Sequence, residues 1–382
     1  MSPLSRAAAL LGLLLALPAC SGDDSDDGGA SGTPSDRPSS SSPDAGSTTA
    51  APGTPVARAQ VDDVVAGGLE VPWGLAFLPD GSALVSERDT EMVRLVTPGG
   101  EVRGVGRVEG VDGVGEGGLL GLAVSPEYAE DSTVFAYFTS GSENVVARLT
   151  YDGQDLSAQR TILDGIPAGP IHNGGRIAFG PDGHLYVGTG ESGNTGLSQD
   201  RGSLGGKILR ITPDGDPAPG NPFDGSPVYS LGHRNVQGLA WDARGQLWAA
   251  EFGQNTWDEL NRIEPGGNYG WPQVEGRSGD DRYINPVRQW STDVASPSGI
   301  AVAADSVFMA GLGGERLWQI PIPDGKVGRP RALLRADYGR LRTVAVAPDG
   351  SLWLTTSNRD GRGSPRGNDD RILRLTVETA GS

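Results

Sequence analysis

The stretch RIAFGPDGHLYVGTGE (176–191) decides the fold. Two short runs rich in β-formers flank Pro181-Asp182-Gly183, a turn-forming triplet, which is the local signature of a hairpin. The pattern returns five more times, as GLAFLPDGSALVSER (74–88), GLAVSPEYAEDSTVFAYF (121–138), GLAWDARGQLWAAEFG (238–253), GIAVAADSVFMAGLG (299–313) and TVAVAPDGSLWLTTSN (343–358). An alanine stands at the same point of each unit: Ala76, Ala123, Ala178, Ala240, Ala301 and Ala345, spaced 44 to 62 residues apart. Between the hairpins lie further strand candidates, MVRLVTP (92–98), VVARLTY (145–151), KILRITP (207–213), RLWQIPI (316–322) and RILRLTV (371–377). Each unit thus holds about four strands. Six such units predict an all-β chain, a six-bladed β-propeller with four-stranded antiparallel blades, whose closure leaves only short sheet edges. An open solenoid would need capping repeats, and the pattern contains none.

Composition agrees. Among 382 residues are 60 Gly and 28 Pro, a turn-rich balance that argues against a helical bundle. The formal charge of −17 excludes a nucleic-acid partner, which requires a basic face. Lysine is confined to Lys207 and Lys326, leaving arginine as the working cation. One cysteine permits neither an internal disulfide nor a cysteine-rich metal site.

That cysteine closes the segment MSPLSRAAALLGLLLALPAC (1–20), which has a basic residue, an apolar run and then Leu-Pro-Ala-Cys. The layout is that of a secretory signal over 1–19, and its last four residues resemble a bacterial lipobox. The resemblance implies cleavage before Cys20, lipidation of its thiol, and an extracytoplasmic protein anchored by lipid to the outer face of the cell membrane. An ordinary signal peptide with an incidental cysteine is the alternative. The apolar run falls short of the ~20 residues that a membrane span needs. Residues 20–57 are dominated by Ser, Asp, Gly, Pro and Thr without large apolar side chains, and read as a disordered tether. The propeller is expected over 58–378.

Residues that break the repeat carry the functional signal. Blade three opens with Ile-His-Asn-Gly-Gly-Arg (171–176), placing His172 just before a strand, where propeller loops line the central mouth. Blade four opens with Leu-Gly-His-Arg-Asn-Val (231–236), placing Arg234 and Asn235 at the equivalent position. Further irregular stretches are GEGGLLG (115–121), DELNRI (258–263), GGNYGWP (266–272) and RLRTV (340–344). In this order, and across essentially all of 60–377, these motifs resemble the PQQ-dependent aldose sugar dehydrogenases, the glucose/sorbosone dehydrogenase family (PQQ is pyrroloquinoline quinone).

The resemblance implies oxidation of an aldose at C1 to its lactone, with PQQ and Ca²⁺ as cofactors; the sequence leaves the electron acceptor open between a cytochrome and a quinone. It implies His172 as the general base, a role suited to imidazole because it exchanges protons near neutral pH. Glu191 falls where the family has a carboxylate orienting that histidine. Arg234 and Asn235 match the pair beside the quinone carbonyls. Arg340 and Arg342 match the arginines that hold the cofactor's carboxylates, through forked guanidinium contacts. The backbone carbonyls of Gly253 and Gln254 match ligands of a catalytic Ca²⁺, and Glu259 with the backbone of Tyr269 matches a second, structural Ca²⁺ site.

Two positions depart from the family pattern. Glu116 stands where many members have a cofactor-contacting Gln, and a carboxylate there repels an anionic tricarboxylate unless it is protonated or turned to Arg or Ca²⁺. Gly313 is the best match to a Lys, and Arg316 is the nearest candidate replacement cation. Trp73, Trp241, Trp248, Trp318 and Trp353 read as inter-blade packing, Trp271 and Trp290 as bordering either core or cleft, and Glu87-Arg88 as a blade-edge brace. His184 reads as an exposed turn residue and His233 as a brace for the Arg-Asn loop. Two other classes of function compete: a non-catalytic cell-surface propeller binding sugars or glycans, and a Ca²⁺-dependent lactonase-type hydrolase.

Overall fold

The computed structural model describes residues 58–378. The signal segment, Cys20 and the tether therefore lie outside the described residues. The first strand, β1 (Arg58–Gly67), precedes blade one, which comprises β2 (Pro72–Phe77), β3 (Ala83–Glu87), β4 (Met92–Val96) and β5 (Val102–Arg107). Blade two comprises β6 (Leu119–Val124), β7 (Thr133–Ser140), β8 (Glu143–Tyr151) and β9 (Leu156–Pro167). Blade three comprises β10 (Ile177–Phe179), β11 (Leu185–Gly188), β12 (Lys207–Ile211) and β13 (Val228–Leu231). Blade four comprises β14 (Val236–Trp241), β15 (Leu247–Glu251), β16 (Asp258–Arg262) and β17 (Arg288–Trp290). Blade five comprises β18 (Pro297–Ala303), β19 (Ser306–Gly311), β20 (Arg316–Pro321) and β21 (Arg331–Leu333). Blade six has only three strands of its own, β22 (Leu341–Val346), β23 (Leu352–Thr356) and β24 (Arg371–Glu378), and β1 returns to complete it.

The six four-stranded sheets are the expected propeller. Its innermost strands β2, β6, β10, β14, β18 and β22 touch in a closed cycle. β1 runs antiparallel to β24 from Arg58 opposite Glu378 to Gly67 opposite Arg371, so the two ends of the ring are stitched by backbone hydrogen bonds. This removes the open edge that a linear stack of blades would expose.

Apolar faces of adjacent blades bury one another. Trp248, Trp290 and Trp318 share one inter-blade cluster, and Trp353 meets Phe77 edge-on at 5.0 Å where blade six joins blade one. Trp241 packs edge-on against Tyr186 of blade three at 5.0 Å. The repeat alanines also acquire a reason. Ala76, Ala123, Ala178, Ala240, Ala301 and Ala345 all line a channel of about 480 Å³ along the axis, where the converging inner strands favour small side chains.

The opposite end of the inner strands is less regular. The first pairing slips in five of the six blades, and three of these slips lie between Pro72 and Leu75 in blade one, Val236 and Gly238 in blade four, and Leu341 and Val344 in blade six. Such bulges re-aim side chains. Trp73, Gln237 and Arg342 fall inside these three slips, and all three line the large cavity at that end.

Candidate active site

The cavity, of about 550 Å³, is built from segments that lead into the innermost strands and segments that leave the second strand of each blade. His172 precedes β10, Arg234 and Asn235 precede β14, and Arg340 precedes β22; Arg88 follows β3, Gly253 and Gln254 follow β15, and Asp360 follows β23.

His172 and Glu191 meet at this mouth. His172 Nδ1 lies 2.5 Å from Glu191 Oε1, and the glutamate is almost wholly buried. A carboxylate accepting from Nδ1–H leaves Nε2 as the ring nitrogen with a lone pair. The backbone locks the pair in place. Glu191 N–H donates to Arg234 O at 3.0 Å, and Ser192 N–H donates to His172 O at 3.1 Å. Only glycine fits at 190, since a Cβ there would lie 1.8 Å from His172 O. His172 itself adopts a φ of +57°, a left-handed conformation rare for a side chain of its size.

Arg234 and Asn235 face the same space. Asn235 Oδ1 accepts the Gly174 N–H at 2.9 Å, so the amide NH₂ is the group it offers to the cavity. Arg234 stands 5.5 Å from the Trp271 ring, donates to Phe252 O at 3.3 Å, and has a buried Nε without a partner. Burial lowers its proton affinity, opposed by the nearby carboxylates of Glu191, Glu275, Glu116 and Asp258. Beneath this loop His233 is fully buried, bonded to Ser230 and Glu251 and stacked on Tyr269 at 4.6 Å, the bracing role read from the sequence.

Arg340 and Arg342 converge as well, joined by an anion that the sequence did not disclose. Asp360 Oδ2 accepts Arg340 Nε and Nη2 at 3.0 and 2.9 Å and receives Arg342 Nη2 at 3.4 Å. Burial would push the Asp360 carboxyl up, but the two guanidinium groups outweigh it and hold it below its ordinary range. Arg88 and Arg362 bring the arginines at the cavity to five. Arg88, read from the sequence as part of a brace, is thus a cavity residue, whereas Glu87 does brace blade one through Glu70 N–H, Thr90 and Arg94.

Both departures from the motif pattern have structural answers. Glu116 turns to Arg362 Nη1 at 2.9 Å and to the His172 N–H at 3.0 Å. Burial raises its proton affinity, yet these two donors outweigh that and lower it. Leu312, not Gly313, lines the cavity, and a Cβ at Gly313 would press on Ser296. Arg316 does not stand in for the missing cation: it donates to Gly314 O at 2.6 Å and lies over Trp318. Trp73 keeps its inter-blade reading, buried among Leu120, Phe135 and Ile177 of the next two blades, and in addition lines the cavity, with Arg176 4.4 Å from its ring. Trp290 is core, and Trp271 lies under Arg234.

The loop at 253–257 is shaped by one side chain. Glu275 Oε1 accepts the N–H groups of Gln254, Asn255, Thr256 and Trp257 at 2.7, 3.1, 2.9 and 3.0 Å. In a trans peptide the preceding carbonyl points the opposite way. The oxygens of Gly253 and Gln254 therefore turn away from Glu275, on residues that line the cavity, and they are the hard donors that suit Ca²⁺. Asp258 holds the loop from its other side, accepting Gly253 N–H and Ser296 N–H, and burial pushes its carboxyl up to about 7.

Behind this loop, Glu251, Glu259, Glu275 and Tyr269 border a second, very small cavity. Burial, and next the neighbouring Glu251, raise the Glu259 carboxyl. Its oxygens accept Gly276 N–H and the Asn261 amide, while Asn261 Oδ1 is buried with no partner. The result is a surplus of acceptors that a cation would relieve. Among the described residues, however, no three carboxylate or imidazole groups are arranged to grip an ion together.

A six-bladed propeller presenting a His–Glu pair and five arginines to one cavity defines a class: a propeller with a proton-transfer group set beside a site for an anionic ligand. Comparison with known proteins narrows this class. Residues 69–373 match the family model described as glucose/sorbosone dehydrogenase, and the chain belongs to that family. The PQQ-bound aldose sugar dehydrogenase of Streptomyces coelicolor is 61% identical, with a TM-score of 0.82 over 84% of this chain and 98% of that one. Aldose sugar dehydrogenase YliI of Escherichia coli is 28% identical over 78% of this chain and 90% of its own length. Quinoprotein glucose dehydrogenase B of Acinetobacter calcoaceticus is 32% identical over 58% of this chain and 54% of its own length.

Proposed function

We propose that this chain is a PQQ-dependent aldose sugar dehydrogenase that oxidises the sugar at C1 to the lactone. The observation that carries the reading is the His172–Glu191 pair, 2.5 Å apart, opening on a cavity lined by five arginines. When bound, PQQ supplies the two-electron acceptor for the C1 hydride, and Ca²⁺ acts as the Lewis acid that polarises it.

The chain's own residues do the rest. His172 takes the proton of the C1 hydroxyl at Nε2, with Glu191 fixing the tautomer and stabilising the imidazolium. Arg234 and the Asn235 amide place donors where negative charge develops, in a site that needs no reorganisation to receive it. Arg340 and Arg342 hold the cofactor's carboxylates, with Glu116 at the rim. The carbonyls of Gly253 and Gln254 hold the catalytic Ca²⁺, and Glu259 with the Tyr269 backbone holds a second ion. A cytochrome or a membrane quinone would serve as the onward electron acceptor.

Supplying the purified protein with PQQ and Ca²⁺ and following dye reduction with a panel of aldoses tests the reading. Lactone formed in step with reduced dye is the expected result; sugar binding without turnover would favour a glycan-binding propeller. We also propose a lipid anchor at Cys20 on the outer face of the membrane, supported by the Leu-Pro-Ala-Cys sequence. Cys20→Ala should release the protein from membranes, and unchanged retention would reject the anchor.

A further inference from the structure

Glu116 and Arg362 stand far apart in the chain and meet at the cavity rim. Arg362 Nη1 lies 2.9 Å from Glu116 Oε1, and Glu116 Oε2 accepts the backbone N–H of His172 at 3.0 Å. Both oxygens of one carboxylate are thereby committed, one to a charge and one to the backbone of the base. That backbone needs holding, because His172 has a φ of +57°, where a residue with a Cβ is strained. The loop carrying Arg362 is fixed in turn: Arg362 N–H donates to Asp360 Oδ1 at 3.0 Å, while Asp360 Oδ2 engages Arg340 and Arg342. Within three residues of blade six, an aspartate bridges the two buried arginines and offsets one of their two charges, and an arginine neutralises the rim carboxylate.

We propose that Arg362 and Glu116 form one positioning unit: Arg362 cancels the charge of Glu116 at the cavity, and Glu116 holds His172 in the conformation that brings Nδ1 to Glu191. The inference rests on the proposed function for its ligand, a quinone tricarboxylate, and goes beyond it in giving Arg362 a role. Stability is not the purpose of the pair. The Arg362 side chain is 61% exposed, and ion pairs so open to water contribute little to folding. The Glu116 side chain is only 21% exposed, and a carboxylate left uncompensated there would face the incoming anion.

A double-mutant cycle on the full chain tests the unit, reading PQQ dissociation constants from tryptophan quenching at fixed Ca²⁺, together with kcat and KM. Arg362→Ala should weaken PQQ binding about tenfold, as an unpaired carboxylate repels the ligand. Glu116→Gln should bind PQQ as well as the wild type or more tightly. Adding Glu116→Gln to Arg362→Ala should restore affinity, because the neutral amide keeps an acceptor for His172 N–H. Additive effects without this rescue would overturn the unit, as would an Arg362→Ala variant with unchanged affinity and kcat. Glu116→Ala should lower kcat without weakening PQQ binding. Its crystal structure, compared with that of the wild type, reads the backbone role with no cofactor present: His172 leaving the left-handed region supports the role, and His172 staying there contradicts it. Failure of the wild type itself to bind PQQ would sink the proposed function, while the crystallographic comparison would still decide what Glu116 does for His172.

Discussion

Glu191 Oε1 lies 2.5 Å from His172 Nδ1, and this contact joins the two segments of blade three that flank its inner hairpin. The segment entering β10 brings the imidazole and the segment leaving β11 brings the carboxylate, so the hairpin itself sets their spacing. Substitution should separate chemistry from binding. His172→Ala is expected to lower kcat by about 10²–10⁴-fold, the usual range for a positioned general base, while PQQ affinity stays near that of the wild type. Glu191→Gln should lower kcat in the same direction, since an amide no longer enforces the Nδ1–H tautomer. Stopped-flow reduction with a saturating aldose measures both, and wild-type turnover in His172→Ala would remove the residue from its assigned role.

Asp360 gives the site a specific acid limit. Arg340 and Arg342 hold its carboxyl below the unfolded value of ~3.9. A depressed folded value means that its stabilisation is present above the unfolded pKa and is lost as pH falls through the folded one. In the protein without cofactor, Asp360→Asn should therefore destabilise by about 3–5 kcal/mol near neutral pH, the usual effect of breaking a buried ion pair. The gap to the wild type should shrink below about pH 4 as the wild-type carboxyl protonates. Thermal melts across pH check this, and a gap independent of pH would contradict the ionic role.

Much of this architecture was legible in the sequence because its signals are local. The hairpins announce themselves by two apolar runs about a turn triplet, and the shared alanines mark the axial channel. The outer strands did not show. β17 (Arg-Gln-Trp) and β21 (Arg-Ala-Leu) have three residues each, too few to display a period. β1 earns its place only by pairing with β24 at the far end of the chain, a register that no local pattern encodes. In the site, His172, Arg234, Arg340 and Arg342 stood inside recognisable motifs. Asp360, Arg362 and Glu275 lie on loops where a charge reads as solvated, and only the fold reveals which cation or N–H each one meets. Trp73 was legible as inter-blade packing, whereas its second place, at the cavity, falls at a slip in strand pairing that no local pattern encodes.

The carboxylates behind the 253–257 loop predict a proton-coupled metal response. Burial and Glu251 raise the Glu259 carboxyl, so without metal it retains proton occupancy at a pH where an ordinary glutamate has none. A cation bound at this residue displaces that proton. Calorimetric Ca²⁺ titrations near pH 7 in buffers of different ionisation enthalpy should show proton release and a raised melting temperature, with Glu259→Gln reducing both. Binding without proton release would place the ion elsewhere.

The closure by β1 makes the chain sensitive to a cut that spares every site residue. Starting the chain at Gly68 removes the partner of β24 and leaves that strand's hydrogen-bonding groups open to other molecules. The shortened protein should lose its single cooperative melt and self-associate, whereas a chain starting at Arg58 should melt like the longer form. Light scattering with calorimetry distinguishes them, and equal melting of the two would show that the closure strand is dispensable.

The most direct test of the central claim is the absorption spectrum of the purified protein with PQQ and Ca²⁺, recorded without oxygen before and after an aldose is added. The account predicts that the oxidised quinone spectrum is replaced by that of the quinol, with one lactone formed per cofactor. A wild-type protein that binds PQQ yet leaves it oxidised across a panel of aldoses would contradict it.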